Sequence, residues 1–137
     1  MIFSRKPEPD PATMAAWRSF LDCAEMIEGG RRLLLSTLPT GRVEPAPIGV
    51  GIEAMRRSIA DTREWMDRWK IDELEVAWDE CRDGLDEAEA ALDDLAHTAA
   101  TTSELEELLE AVEEVVSPLD AFADAEREWR RRWRLPR

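Results

Sequence analysis

Histidine, lysine, tyrosine and cysteine are scarce in this chain, and each scarcity narrows the functions that its sequence supports. The 137 residues include one histidine, His97, two lysines, two cysteines and no tyrosine. With a single histidine and no nucleophile elbow, the sequence offers no Ser-His-Asp or Cys-His arrangement for nucleophilic catalysis. Cys23 and Cys81 are far apart and lack the CxxC spacing of a metal site. We therefore predict no catalytic residue, no metal site and no cofactor.

Long apolar runs are absent as well. No stretch of roughly 18 apolar residues occurs, which a membrane-spanning helix would need, and Met1–Thr13 lacks the apolar segment of a signal peptide. Two distant cysteines suit a reducing compartment, although a bridge between Cys23 and Cys81 remains open at this stage. We expect a cytoplasmic protein without membrane contact, in which residues 1–9 form a disordered N-terminal arm and residues 10–137 form one helical domain.

Helical periodicity runs through the second half of the chain. One apolar line, with steps of three and four residues, is Leu74, Trp78, Cys81, Leu85, Ala88, Leu92, Leu95 and Ala99. A second is Leu105, Leu108, Val112, Val115, Leu119, Phe122, Trp129 and Trp133, in which the charged Glu126 occupies the position between Phe122 and Trp129. Such spacing is typical of helices that pack through one apolar side. The second line keeps its phase across Pro118, which favours a kinked helix over two abutting helices.

Two further apolar lines occupy the first half. In the first helix, the residues predicted to face the core are Met14, Trp17, Leu21, Ala24, Ile27, Leu34 and Leu38. In the second helix they are Ile52, Met55, Ile59, Thr62, Met66 and Trp69. Gly29 and Gly30 either break the first helix or allow a close crossing with a neighbour. Pro39–Gly51 is predicted to be a long loop. A slip of phase near Ile71 separates the second and third helices.

These elements predict an all-α protein, an antiparallel up-and-down four-helix bundle with a kink at Pro118 in the last helix. The alternative is one unbroken helix from Ile52 to Ala99, which would overhang a single bundle and require a dimer. Asp72 is predicted to cap the third helix. Ser103 and Glu106 are predicted to form a capping box at the start of the fourth.

The charges are sorted along the chain. Residues 1–71 carry 11 cations and 10 anions, residues 72–126 carry 1 and 20, and residues 127–137 carry 6 and 1. Arginines of the first two helices could flank the acidic block, but exposed ion pairs contribute only about 0–1 kcal/mol each and are screened by salt. The block is therefore either a solvated face that keeps the protein in solution or a docking face for a basic partner.

The predicted docking face consists of carboxylates on the third and fourth helices. They are Asp79, Asp83, Asp86, Glu87, Asp93, Glu106, Glu107, Glu110, Glu113 and Glu114. The partner would be a basic protein or a second copy of the chain, and the protein would act as an adaptor, inhibitor or regulatory subunit. One form of this function is mimicry of nucleic acid, in which carboxylates imitate phosphates. Direct binding of nucleic acid by this face is excluded by the sign of its charge.

The C-terminal segment combines two indoles with a basic run, and it permits two interpretations. Its residues are Trp129, Arg130, Arg131, Arg132, Trp133 and Arg134. In structural terms, the indoles continue the apolar line and the arginines suit the negative end of the helix dipole. In functional terms, the segment binds a partner or enters the acidic face of a second copy, which would give a homodimer.

One carboxylate pattern resembles that of an enzyme family. Glu64-x-x-Asp67 followed by Glu80-x-x-Asp83 is loosely similar to the ExxE…ExxD arrangement by which all-α MazG-type nucleotide pyrophosphohydrolases hold magnesium. The resemblance implies magnesium-dependent hydrolysis of nucleotides as an alternative function. It covers about twenty residues, and Asp67 stands where the family has Glu. The principal prediction is therefore a non-enzymatic interaction protein.

Overall fold

Helices account for most of the computed structural model, which describes residues 5–43 and 45–137. The α-helices in these ranges are α1 (Pro11–Ser36), α2 (Pro45–Trp65), α3 (Glu75–Thr101), α4 (Leu105–Val116) and α5 (Ala121–Arg132). Short 3-10 turns span Met66–Trp69, Asp72–Leu74 and Ser117–Asp120. No β-strand occurs in either described range.

Four helical arms pack around one core, and α4 with α5 forms the last of them. Successive helices contact each other, α1 with α2, α2 with α3 and α3 with α4, while α5 packs on both α3 and α1. Short connections between packed neighbours make them run antiparallel. The predicted all-α, up-and-down four-helix bundle is therefore confirmed.

The bend in the last arm lies at Pro118, as predicted. Proline has no amide hydrogen to continue a helix, and α4 gives way here to the Ser117–Asp120 turn. Leu119 within the turn is buried, so the apolar line passes the bend on the same side. Gly84 of α3 faces this turn, and a Cβ atom there would lie 2.5 Å from the Pro118 carbonyl oxygen. The missing side chain lets α3 and the turn approach closely.

The apolar lines predicted for α2, α3 and the last arm form the core. Every residue of the two lines from Ile52 to Trp69 and from Leu74 to Ala99 is buried. In the last arm only the two end residues, Leu105 and Trp133, are partly exposed. Buried side chains from all five helices belong to one apolar cluster.

α1 turns a slightly different side to the core than predicted. Phe20 and Cys23 are fully buried there, whereas Leu21 and Ala24, which were expected inside, are only half-buried. The Phe20 ring packs edge-on against Trp69, with 4.9 Å between the ring centroids. Aromatic contacts of this kind bury more apolar surface than leucine and alanine would, and they fix the rotation of α1.

The Gly29–Gly30 pair does not break α1, which continues to Ser36. Gly30 lies where α1 crosses α2, and a Cβ atom at this position would come within 2.6 Å of the Ser58 Cβ atom. Gly29 has open space around it. The close crossing, one of the two sequence alternatives, is therefore confirmed.

The loop between α1 and α2 is shorter than the predicted Pro39–Gly51. α2 begins at Pro45, so the second half of that segment is helical. Prolines are tolerated in the first turn of a helix because the amides there have no helical acceptor. Ile48 is fully buried and holds this turn against the core.

The predicted break near Ile71 separates α2 from α3. The chain passes through the Met66–Trp69 turn and an extended stretch before the Asp72–Leu74 turn. The alternative prediction of one unbroken helix from Ile52 to Ala99 is therefore wrong. Asp72 does not cap α3, because it opens the 3-10 turn and leaves Leu74 at the N-cap position.

The capping box predicted at the start of α4 is also wrong. The N-cap residue is Glu104, and no side-chain cap bond forms between Ser103 and Glu106. Thr102 makes the hydrogen bonds at this helix start instead. Its Oγ1 accepts from the Glu104 amide at 3.0 Å and donates to Glu107 Oε2 at 2.8 Å.

Residues 6–8 lie beside residues 130–134. Residues 1–4 of the predicted disordered arm lie outside the described residues. Lys6 Nζ donates to the Arg130 carbonyl oxygen at 2.6 Å, and the Arg134 amide donates to the Pro7 carbonyl oxygen at 2.9 Å. The disorder of the arm and the division into one domain remain predictions.

Candidate functional site

Arginines of α2 neutralise one side of the acidic face on α3. Arg56 Nη1 lies 2.8 Å from Asp93 Oδ1, and Arg63 Nη2 lies 2.7 Å from Asp86 Oδ1. Arg63 Nε also approaches Glu89 Oε2 at 3.5 Å. The side of α3 that faces α2 therefore has part of its negative charge compensated within the chain, two arginines against three carboxylates.

Arg82 is the one cation among residues 72–126, and it binds two more carboxylates of the predicted face. Its guanidinium group lies 3.6 Å from Asp79 Oδ1 and 3.3 Å from Asp83 Oδ1. Four of the ten predicted docking carboxylates are thus ion-paired inside the molecule. These four are poor candidates for binding a partner, because an arriving cation would first have to displace an arginine.

The other six predicted carboxylates have no arginine or lysine partner within residues 5–43 and 45–137. They are Glu87 on α3 and Glu106, Glu107, Glu110, Glu113 and Glu114 on α4. Among the ten predicted carboxylates, uncompensated charge is therefore concentrated on α4 and on the adjoining side of α3, while a separate set without an ion pair among the described residues lies around the start of α3: Asp72, Glu73, Glu75 and Glu80. This distribution separates a structural part of the acidic block from a part that is free to bind.

A groove of about 670 Å³ runs between α3 and α4. Its acidic walls are Glu87 and Asp94 on α3 and Glu107, Glu110 and Glu114 on α4. Its floor is Ala90, Ala91, Ala111 and Pro118, with Thr98 at one end. Helical spacing explains this composition, because residues three, four and seven apart share one side of a helix. The result is a small apolar floor between two rows of carboxylates.

The groove includes some of the predicted residues and leaves out others. Glu106 and Glu113 lie on the outer side of α4, where Leu109 is 42% exposed, and they do not line the groove. Asp94 lines it but was absent from the predicted docking face. The sequence carried a signal for this residue, because Asp94 follows Glu87 by seven positions and therefore shares its side of α3.

The arginines of the C-terminal segment are paired with carboxylates of the same chain. Arg130 Nε lies 3.4 Å from Glu126, while Arg131 and Arg132 both bind Glu128 at 2.7 Å. Hydrogen bonds from Arg131, and to a smaller extent from Arg132, lower the pKa of Glu128 to about 2. The fourth predicted arginine, Arg134, pairs with Glu8 near the N-terminus. The basic run is therefore largely compensated within the chain, four arginines against three carboxylates.

The two indoles of this segment belong to the bundle. Trp129 is fully buried, with its ring centroid 5.4 Å from that of Trp17, and Trp133 packs beside it at 5.1 Å. The structural interpretation of the segment, in which the indoles continue the apolar line, is confirmed for Trp129. A docking role for the segment remains a prediction. The buried Trp129 indole could not contact a partner in such a role.

The four carboxylates of the magnesium pattern do not converge. Glu64, Asp67, Glu80 and Asp83 are all exposed, and they are spread over α2, the following turn and α3. Glu64 lines a groove between α1 and α2, whereas Glu80 lines another between α3 and α5. Among the described residues, no three His, Cys, Asp or Glu side chains come together as metal ligands. His97 is exposed near the end of α3.

Cys23 and Cys81 are free thiols in the core, so they form no disulfide. The Cys81 thiol donates to the Ala121 carbonyl oxygen at 3.5 Å. Burial raises the pKa of Cys23 to about 11 and that of Cys81 further. Both thiols are therefore protonated and shielded at neutral pH, which makes them poor nucleophiles and poor metal ligands.

We expect the folded protein to resist thiol reagents. At pH 8 neither Cys23 nor Cys81 should react with a disulfide reagent until the protein opens, whereas both should react at once in denaturant. Because folding raises the pKa of both thiols, their contribution to stability is complete below the unfolded value of 9.0 and declines as the pH rises toward 11. Absorbance of the released thiolate measures the reaction. Rapid labelling of the folded protein would contradict the buried positions.

The chain matches no protein-family model, and no curated protein or solved structure shows significant similarity to it. No helix in the described part of the chain is both long and apolar enough to span a bilayer. The fold and the site together define a class, a helical bundle with an uncompensated acidic groove.

Proposed function

We propose that this protein is a non-enzymatic cytoplasmic interaction protein whose α3–α4 groove binds a basic segment of a partner protein. The observation that supports the proposal is the set of five carboxylates around the groove, none of which pairs with an arginine or lysine of the described residues. Like charges held along one groove repel each other, and a cationic ligand relieves that repulsion.

The apolar floor limits the kind of segment that fits. Alanine side chains leave room for the aliphatic stems of lysine and arginine, whose charged ends can then reach the carboxylates on the walls. From Glu87 to Thr98 the groove covers twelve residues of α3, whose eleven steps span about 17 Å at the helical rise of 1.5 Å per residue. This length corresponds to about three turns of a helix. The best-fitting partner is a basic amphipathic helix with cations on one side.

The net charge of −13 supports the same function. A strongly acidic surface attracts basic partners over long distances and raises the rate of association, more so at low salt. The α4 side contributes more to this attraction than the side of α3 that faces α2, because arginines of α2 pair with carboxylates on that side of α3. An adaptor, inhibitor or regulatory subunit could use this surface in the same way.

Two matched double substitutions on α4 test the groove. Glu110→Lys with Glu114→Lys reverses charge inside it, whereas Glu106→Lys with Glu113→Lys makes the same change in net charge on the outer side of the helix. We expect the first pair to weaken partner binding by about 10- to 100-fold, because two attractive contacts become repulsive. The second pair should cause a much smaller loss.

The measurement has two stages. Each variant and the wild type are immobilised and exposed to an extract of the native host, and proteins lost only from the groove variant are identified by mass spectrometry. The purified partner is then titrated by calorimetry, with circular dichroism as a check on helicity. Equal loss in both variants would mean that net charge alone matters, and unchanged binding in the groove variant would remove the groove from consideration.

A further inference from the structure

A second surface, on the outer side of α1 and α2, exposes apolar side chains without cover. Leu33 is 56% exposed and Val50 is 69% exposed. Met26 and Trp65 are partly buried and line a shallow groove of about 510 Å³ on the same side. Helical spacing places Met26 and Leu33 on one line of α1, seven residues apart, whereas Val50 and Trp65, fifteen residues apart, point about 60° from each other around α2.

Two glycines bring α1 and α2 close together beneath this surface. Gly30 lies against Ser58, and Gly51 lies so close to α1 that a Cβ atom there would be 3.1 Å from the Leu34 Cα atom. Gly29, beside the crossing, has open space around it. Two helices that approach this closely present a continuous face and leave little room for a deep cleft.

Most charges on this outer α1–α2 face divide into two halves, the exceptions being the exposed Arg18, one turn before Asp22, and the exposed Glu53, one turn before Arg57. One half carries Asp22, Glu25, Asp61 and Glu64, which line the groove. The other half carries Arg32 and Arg57, both exposed. Within residues 5–43 and 45–137, none of these six side chains has an oppositely charged partner within 4.0 Å. Arg68 lies over the Trp65 ring, 3.6 Å from its centroid, at the acidic end.

We propose that a second copy of this chain covers the outer α1–α2 face in a two-fold dimer. A face with one acidic and one basic half is complementary to itself, because rotation by 180° places each half over the opposite half of the other copy. The same rotation lays α1 of one copy along α2 of the other. It brings the exposed Leu33 over the Met26 and Trp65 end of its neighbour.

The dimensions of the face set the strength of the dimer. α1 contributes about 21 Å of length between Asp22 and Ser36, and two packed helices are about 8–10 Å apart. An interface of this size lies at the small end of specific protein contacts, where complexes are weak and reversible. The dimer therefore dissociates on dilution and is sensitive to the charges around its apolar centre.

Charge reversal on each half provides the decisive test. One variant carries Arg32→Glu and Arg57→Glu, and the other carries Glu25→Arg and Glu64→Arg. Sedimentation velocity of the wild type should show monomers and dimers in an equilibrium that depends on concentration. Each variant alone should be at least about 10-fold weaker as a dimer, while an equimolar mixture of the two should form heterodimers, because each half again meets its opposite.

Single aspartates provide the matched control. Leu33→Asp should abolish the dimer, whereas Leu109→Asp, which adds the same charge to an exposed leucine of α4, should leave it unchanged. Circular dichroism establishes that the variants remain helical. The proposal is overturned by a wild type that is monomeric at about 1 mM, by a variant mixture that stays monomeric, or by dissociation in Leu109→Asp alone. No outcome depends on the partner of the α3–α4 groove.

Discussion

Replacement of Trp129 by alanine should lower the free energy of unfolding by about 3–5 kcal/mol. The indole is fully buried between α5 and α1, with ring centroids 5.4 Å from Trp17 and 6.0 Å from Phe20. Its removal would lose the transfer free energy of a large apolar group and leave a cavity that rigid neighbours cannot fill. Urea titration followed by circular dichroism measures the loss.

Two further variants separate this effect from a surface role. Trp133→Ala, at the partly exposed end of the same line, should cost markedly less than Trp129→Ala. Trp129→Phe keeps an aromatic ring in the core and should fall between the wild type and the alanine variant. This variant also remains measurable if Trp129→Ala does not fold, since typical domains are stable by only about 5–15 kcal/mol. Equal and small losses at both tryptophans would contradict the packing of α5.

The second large effect is expected at Gly84. A methyl group at this position would meet the Pro118 carbonyl oxygen at 2.5 Å. The obstacle is backbone, so no side-chain rotation can relieve it, and either α3 or the Ser117–Asp120 turn must move. We expect Gly84→Ala to destabilise the protein by about 1–3 kcal/mol despite the higher helix propensity of alanine. Thermal or urea unfolding of the purified variant measures this change.

Gly29→Ala is the control with the opposite sign. Gly29 is also within a helix, but nothing lies within 4 Å of its missing side chain. Alanine there should stabilise the protein by about 0.5–1 kcal/mol, because glycine loses more backbone freedom on folding. If both substitutions moved stability in the same direction, the close approach of α3 to the Pro118 bend would be refuted.

The bundle and most of its core were predictable because apolar periodicity is a local property of the sequence. In α3 the steps of three and four from Leu74 to Ala99 determine the buried side without reference to any other helix. The predicted kink at Pro118 follows from the chemistry of one residue. Predictions from local signals of this kind do not depend on tertiary contacts, and the structure confirms the buried side of α3 and the kink at Pro118.

Predictions that depended on tertiary contacts or on competing local bonds were less accurate. The rotation of α1 is set by the packing of Phe20 on Trp69, which lies in a distant turn. At the start of α4, Thr102 displaced the predicted Ser103 box because its hydroxyl reaches both Glu104 and Glu107. Neighbouring hydroxyl residues compete for the same cap, and the sequence alone does not rank them.

The acidic face was predictable as a region but not as a site. Charge sorting located it, yet the sequence did not show that Arg56 and Arg63 neutralise the side of α3 toward α2. To separate paired from unpaired carboxylates, one must know which neighbouring helix each carboxylate faces. That information assigns Glu87 and the missed Asp94 to the groove, and it leaves Asp93 to a surface ion pair with Arg56 of α2.

α4 is held differently from the longer helices. Its main contacts are with α3 and the Ser117–Asp120 turn, and it has twelve residues, too few to remain helical by itself in water. The apolar contact that orders α4 is opposed by repulsion across the groove, so we expect α4 to open locally more readily than the longer helices. A cationic ligand that removes the repulsion would close this segment, and occupancy of the groove and order of α4 would increase together.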